Sequence, residues 1–269
     1  MLAIEKQKLE ATVTNLFDVG ELEWFTRNAY NLALKNTTTW DLRCVVRMLI
    51  SCVNIIGHFP FDRGPLLDLS QKRLFARFII SSALVSLART NDNNEKQKRD
   101  YLALRTHIMS FDTELVEHLP SLDQGSRDEL VRKHAVLLTF DFGAAVALRQ
   151  WDDLGGIVQR ASLCQSIETY QCMADCLLRG QAPGQSKFAP QYSTVISDRT
   201  ALYSTMRKII NEIWALETFD AMKLSKYTRC LFQATLPLDD GLAMNLLGEA
   251  CSKARELSEV SVFHVGDVW

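Results

Sequence analysis

The chain has 269 residues, 47% hydrophobic and 23% charged, with Lys+Arg 30 against Asp+Glu 32 and a net charge of −2. That length buries a sizeable core without disulfide or metal staples. The balanced charge excludes a whole-molecule field that would draw in nucleic acid by neutralising phosphates.

Seven scattered cysteines (Cys44, Cys52, Cys164, Cys172, Cys176, Cys230, Cys251) lie mostly in apolar helical stretches. An odd, unpatterned set of this kind suits reduced core thiols of the cytosol or nucleus. The first residues, Met1-Leu-Ala-Ile-Glu-Lys-Gln-Lys, carry charges where a signal peptide needs an apolar stretch. The most apolar run, Phe78 to Ala88, is too short to span a bilayer. The expectation is a soluble, intracellular chain.

All six prolines fall between periodic segments, where a helix ends without losing interior hydrogen bonds. No alternating apolar–polar run bounded by turn signals occurs, so no strand is expected. Leu2, Leu9, Val13 and Leu16 read as one helix of a hairpin without its mate, and an uncapped repeat exposes apolar surface. Asp18-Val-Gly-Glu21 then reads as a capping box opening a helix whose apolar face is Leu22, Phe25, Ala29 and Leu32. A second helix starts near Trp40-Asp41, buries Leu42, Val45, Leu49, Val53 and Ile56, and stops at Gly57-His-Phe-Pro60. The third, Leu69 to Arg89, is apolar nearly all round, which places it centrally. A fourth carries Tyr101, Leu104, Ile108, Phe111 and Leu115 on one stripe before Pro120.

Ser126-Arg-Asp-Glu129 reads as a second capping box, opening a long helix through about Gln150. Trp151-Asp-Asp-Leu154 starts a shorter helix to about Leu163, and Ile167, Tyr170, Ala174 and Leu177 mark the next. Gly180 to Ser197 lacks periodicity and reads as a long loop. Helices at about Asp198–Trp214, Asp220–Leu236 and Asp239–Leu257 follow, and Ser261 to Trp269 shows no helical pattern.

About ten helices joined by short links must form antiparallel hairpins. Trp40-Asp-Leu-Arg and Trp151-Asp-Asp-Leu each open a helix directly after another ends, an internal echo. The fold class expected is therefore all-α, a TPR-like α-solenoid, although the strict TPR consensus does not match. Residues 1–258 are expected to form a single repeat domain with a long loop near 180–197, followed by a frayed tail over 259–269.

No catalytic motif is present: there is no G-x-S-x-G elbow, phosphate loop or H-E-x-x-H pair. Cys164, Cys172 and Cys176 share a helix face but lack the knuckle spacing of structural zinc sites, so they read as buried thiols. His58, His107, His118, His134 and His264 show no ligand pairing and read as surface or hydrogen-bonded side chains. Gly155-Gly156, inside a helical signal, reads as close helix packing. Glu95-Lys-Gln-Lys-Arg-Asp100 reads as a solvated face or the rim for an acidic partner. The aromatic cluster Trp24, Phe25, Tyr30 and Trp40 either packs between two hairpins or anchors a partner, because Trp and Tyr dominate interface hot spots.

Glu21 to Leu34, Trp151 to Leu154 and Leu224-Ser-Lys-Tyr-Thr-Arg-Cys-Leu-Phe-Gln233 resemble the fungal branch of the meiosis-specific Zip-four/Spo-twenty-two family. The resemblance runs from about Val19 to Glu256, and its first segment is the most specific. It implies TPR-like repeats and a scaffold bringing together crossover-promoting and synaptonemal-complex proteins on meiotic chromosomes in the nucleus. Family members are longer, so the chain is expected to be a fragment or shortened product. No catalytic residue, cofactor, metal, small molecule, membrane or direct nucleic-acid contact is implied. Trp24, Tyr30, Asn31 and Trp40 are the candidate partner-binding residues. Rival expectations are a general TPR-type adaptor without a meiotic role and an all-α enzyme with an unrecognised site. A DNA binder, needing a basic stripe assembled in the fold, stands behind them.

Overall fold

A computed structural model describes residues 17–59, 66–181, 196–216, 219–235, 241, 244–245, 247–253 and 255–256. The expected first helix around Leu2–Leu16, most of the 180–197 loop and the 259–269 tail lie outside the described residues. Among those described, regular structure is entirely helical, and the fold is all-α. The helices are α1 (Val19–Lys35), α2 (Leu42–Ile56), α3 (Leu66–Thr90), α4 (Asn94–His118), α5 (Gln124–Ala147), α6 (Trp151–Ala161), α7 (Ile167–Gln181), α8 (Ile196–Trp214) and α9 (Ala221–Thr235). A 3-10 turn, Leu119–Ser121, links α4 to α5, and residues within 241–256 are helical again. By its contacts the chain divides into two compact units, 1–149 and 150–269.

In the first unit each helix packs on its sequence neighbour, and α3 also touches α5. This nearest-neighbour pattern is that of a helical repeat. The capping box opening α1 is present: Glu21 N donates to Asp18 Oδ1 at 2.8 Å and Asp18 N to Glu21 Oε2 at 2.9 Å. The α1 core face, however, is Leu22, Thr26 and Ala33, while Phe25 and Leu32 are exposed. The face is rotated because Leu22, Ala29 and Tyr30 turn toward Cys52 and Ile56 of α2.

The second expected capping box also moves. Asp123, not Ser126, caps α5, accepting from Ser126 N at 3.1 Å, and those bonds hold its carboxyl below the usual range. Nor are the two Trp-Asp motifs equivalent: Trp40 precedes the cap residue Asp41, whereas Trp151 is the first residue of α6.

The core of this unit is built from Val45, Leu49, Leu74, Ile80, Leu104, Ile108, Phe111 and Leu137, all essentially without solvent contact. Each such side chain contributes about 1.5–3 kcal/mol by leaving water. Helix α4 adds a second layer of interactions that no periodicity reveals. Arg43 of α2 donates both terminal amines to Asp100 at 3.2 and 3.0 Å. Arg73 and Arg77 of α3 converge on Glu114 at 3.0 and 2.9 Å. Toward α5, Arg105 Nε donates to Asp141 at 2.7 Å, and His134 Nε2 lies 2.7 Å from Asp112 Oδ1.

The second unit centres on α8, which packs against α6, α7 and α9. Leu154, Ile157, Tyr170, Ala174, Ile209, Ile213 and Tyr227 fill its core. Tyr170 donates to Glu212 at 3.3 Å and Tyr227 to Asp175 at 3.1 Å; burial first, then these carboxylates, push both phenols upward. The Gly155-Gly156 pair does not mark close packing. A Cβ on Gly156 would meet nothing, and one on Gly155 would meet only the tip of Lys208.

Two tests follow from the α4 charges. Glu114→Ala leaves two largely buried guanidiniums without their carboxylate, so a loss of about 3–5 kcal/mol in urea unfolding is expected; a loss under about 1 kcal/mol would refute the pairing. His107 lies 3.4 Å from Arg77 Nη1, and burial, then that cation, pushes its imidazole down to about 4. The unfolded chain therefore takes up this proton first as pH falls, so the stability held above pH 6.5 drains away toward pH 4. His107→Gln is expected to remove on the order of 2 kcal/mol of that acid loss, read as the difference between the two proteins' pH–stability curves.

Candidate interaction surface

Helix α1 and the link after it carry the four residues expected to bind a partner, and the structure separates them. Trp24 is 54% exposed and Trp40 37% exposed. Asn31 is exposed on α1. Tyr30 instead packs half-buried against both core clusters of the first unit, and burial raises its phenol. It therefore belongs to the α1–α2 packing.

What gathers around Trp24 is a different set. Phe25 lies edge-on to Trp24 at 5.2 Å and edge-on to Phe17 at 5.5 Å. Phe17, Trp24, Phe25 and Leu32 are each between 39% and 54% exposed. Phe17 and Leu32 were missed as surface residues. Phe17 precedes the cap, and Leu32 is indistinguishable by spacing from a core position. The edge contacts hold the rings in fixed mutual orientation, so little side-chain freedom is lost when a partner covers them. Asp18, Glu21, Glu23 and Arg27 are the exposed charged residues on the same turns of the chain, and Asp18 and Glu21 are engaged with each other in the capping box.

Elsewhere the chemistry is less concentrated. An open groove of about 800 Å³ is lined by α8, with Trp214 and Asn211 on one wall, and by Met244, Gly248, Glu249 and Lys253 on the other. Its charges satisfy each other: Arg207 pairs with Glu249, and Lys253 with Glu256 at 2.8 Å. Among the described residues no group of three His, Cys, Asp or Glu is placed to hold a metal. The thiols are also not uniformly buried as expected. Cys52 is buried, its thiol pushed up to about 11 by burial, but Cys172 and Cys251 are exposed. No described helix is long and apolar enough to cross a membrane.

What the fold defines is an all-α, repeat-like helical protein. No family model and no curated protein matches the chain. A solved structure described as "Computational Design of Self-Assembling Cyclic Protein Homooligomers" is similar over 97% of this chain and 99% of that one. The likeness is loose, with 10% identity and a TM-score of 0.32.

The division between Tyr30 and Trp24 is measurable by stability alone. Tyr30→Ala is expected to cost about 2–4 kcal/mol through lost packing, and Trp24→Ala less than about 1 kcal/mol, as for an exposed side chain. Equal losses in denaturant melts would contradict the assignment of the two side chains to different faces.

Proposed function

We propose that this chain is a non-enzymatic protein–protein interaction scaffold acting in meiotic recombination. In this reading it gathers crossover-promoting and synaptonemal-complex factors on chromosomes in the nucleus. The observation that carries the scaffold reading is the exposed aromatic set Phe17, Trp24 and Phe25 on the outer face of α1. An exposed Trp in ring contact with Phe is the side-chain composition that interface hot spots favour. The meiotic part rests on the resemblance of Glu21–Leu34, Trp151–Leu154 and Leu224–Gln233 to the Zip-four/Spo-twenty-two family.

The chemistry of the patch selects its partner. An exposed apolar, aromatic face on one helix fits the apolar stripe of a second helix. Affinity then concentrates in Trp24, with Phe17 and Phe25 excluding water around it. Asn31 and Trp40 stand further along the same hairpin and extend the contact. The mechanism is passive presentation by a rigid hairpin. A general adaptor of the same architecture is the second reading, supported by the same patch.

Affinity capture from synchronised meiotic cells tests both readings. The intact chain is expected to recover crossover or synaptonemal-complex proteins, and Trp24→Ala to reduce that recovery at least tenfold. Recovery unchanged by Trp24→Ala would move the anchor off α1. Capture of equal partners from vegetative cells would favour the general adaptor.

A further inference from the structure

Helix α4 is apolar on two opposite sides. Its inner side, Leu104, Ile108, Phe111 and Leu115, is buried in the core. On the outer side Leu102, Met109 and Val116 recur every seven residues and are 43%, 61% and 64% exposed. Thr106 and Thr113 fall between them, also exposed, so the spacing alternates four and three residues as in a coiled-coil seam. The threonine hydroxyls do not face outward as polar groups. Thr106 Oγ1 donates to Leu102 O at 3.0 Å and Thr113 Oγ1 to Met109 O at 3.1 Å. The seam shown to solvent is thus largely carbon over about 21 Å of helix.

We infer that this outer face of α4 pairs with the same face of a second copy of the chain, antiparallel and two-fold symmetric. The charges beside the seam select both the occupant and the direction. The first turns carry Lys96, Lys98 and Arg99, all exposed, against Glu95. The last turns carry exposed Glu117, while the Asp112 carboxylate is held by His134 of α5. Antiparallel pairing lays Lys96 beside Glu117 of the second copy at both ends of the contact. Parallel pairing would stack the basic turns on each other, which like charges disfavour. An isologous contact of this kind closes on itself and forms a dimer, not a filament. One helix pair buries less than the roughly 800 Å² per partner of a standard interface, so the dimer is weak and its affinity falls with salt. This surface is separate from the aromatic face of α1, and the inference does not depend on the function proposed for that face.

The test is sedimentation equilibrium of the full chain in reductant, from about 5 to 500 µM, with folding of each variant checked by circular dichroism. Monomer–dimer exchange is expected, weakened at least tenfold by Met109→Glu, which brings two carboxylates together near the dyad. Lys96→Glu and Glu117→Lys are each expected to weaken it severalfold, and the double exchange to restore it. Both positions are exposed, so their variants fold whether or not the pairing exists. A monomer throughout the range would overturn the inference, as would a dimer indifferent to Met109→Glu but abolished by Trp24→Ala. A dimer in which the double exchange fails to restore affinity would overturn the antiparallel arrangement.

Discussion

Charged side chains of α4 reach three different helices: Asp100 meets Arg43 on α2, Glu114 meets Arg73 and Arg77 on α3, and Arg105 and Asp112 meet Asp141 and His134 on α5. Asp141 has no exposed side-chain surface and Glu114 11%. Taking such ions out of water costs several kcal/mol each, which their mutual attraction only partly exceeds. Their larger effect is on register. Sliding α4 by one turn against either neighbour would preserve much of the apolar contact but strand dry, unpaired carboxylates. The hydrophobic layer thus makes the first unit cohere, and the ionic layer decides which arrangement coheres.

That division of labour also explains how much of the molecule was legible beforehand. Helix positions, the central place of α3 and the core stripes of α2, α4 and α7 follow from apolar spacing, which is a local property. The phase of α1 did not, because the helix is apolar on two sides. Phe25 and Leu32 outweigh Thr26 and Ala33 on any hydropathy scale, yet the smaller pair fits the close α1–α2 contact. The ionic pairs were invisible for a different reason. Arg43 and Asp100 lie 57 positions apart and Arg73 and Glu114 41 apart, and nothing local couples them. The run Glu95–Asp100, read as a solvated face, mixes both kinds: Asp100 is buried and paired while its neighbours face water.

The candidate site shows the same limit. Aromatic residues clustered in sequence at Trp24, Phe25, Tyr30 and Trp40, but a helix turns 100° per residue and distributes neighbours to opposite sides. Tyr30 went inward and Trp24 outward. Phe17 joins the surface set through its ring contact with Phe25, across the cap formed by Asp18. A surface of this type works by being held still: the capping box fixes the start of α1, and Leu22 and Tyr30 pin its inner side.

The habit of each helix to pack on its neighbours in the chain has a kinetic consequence. Contacts between adjacent helices close short loops, so little chain entropy is spent before they form, and topologies of this kind reach their folded state in microseconds to milliseconds. The long α3–α4 hairpin holds the most complete set of apolar and ionic contacts and is the natural nucleus. Among the described residues, helix α1 packs chiefly on α2. The aromatic face sits on a helix whose inner side is held by Leu22 and Tyr30 against α2, so a partner that covers that face also holds α1 on its neighbour.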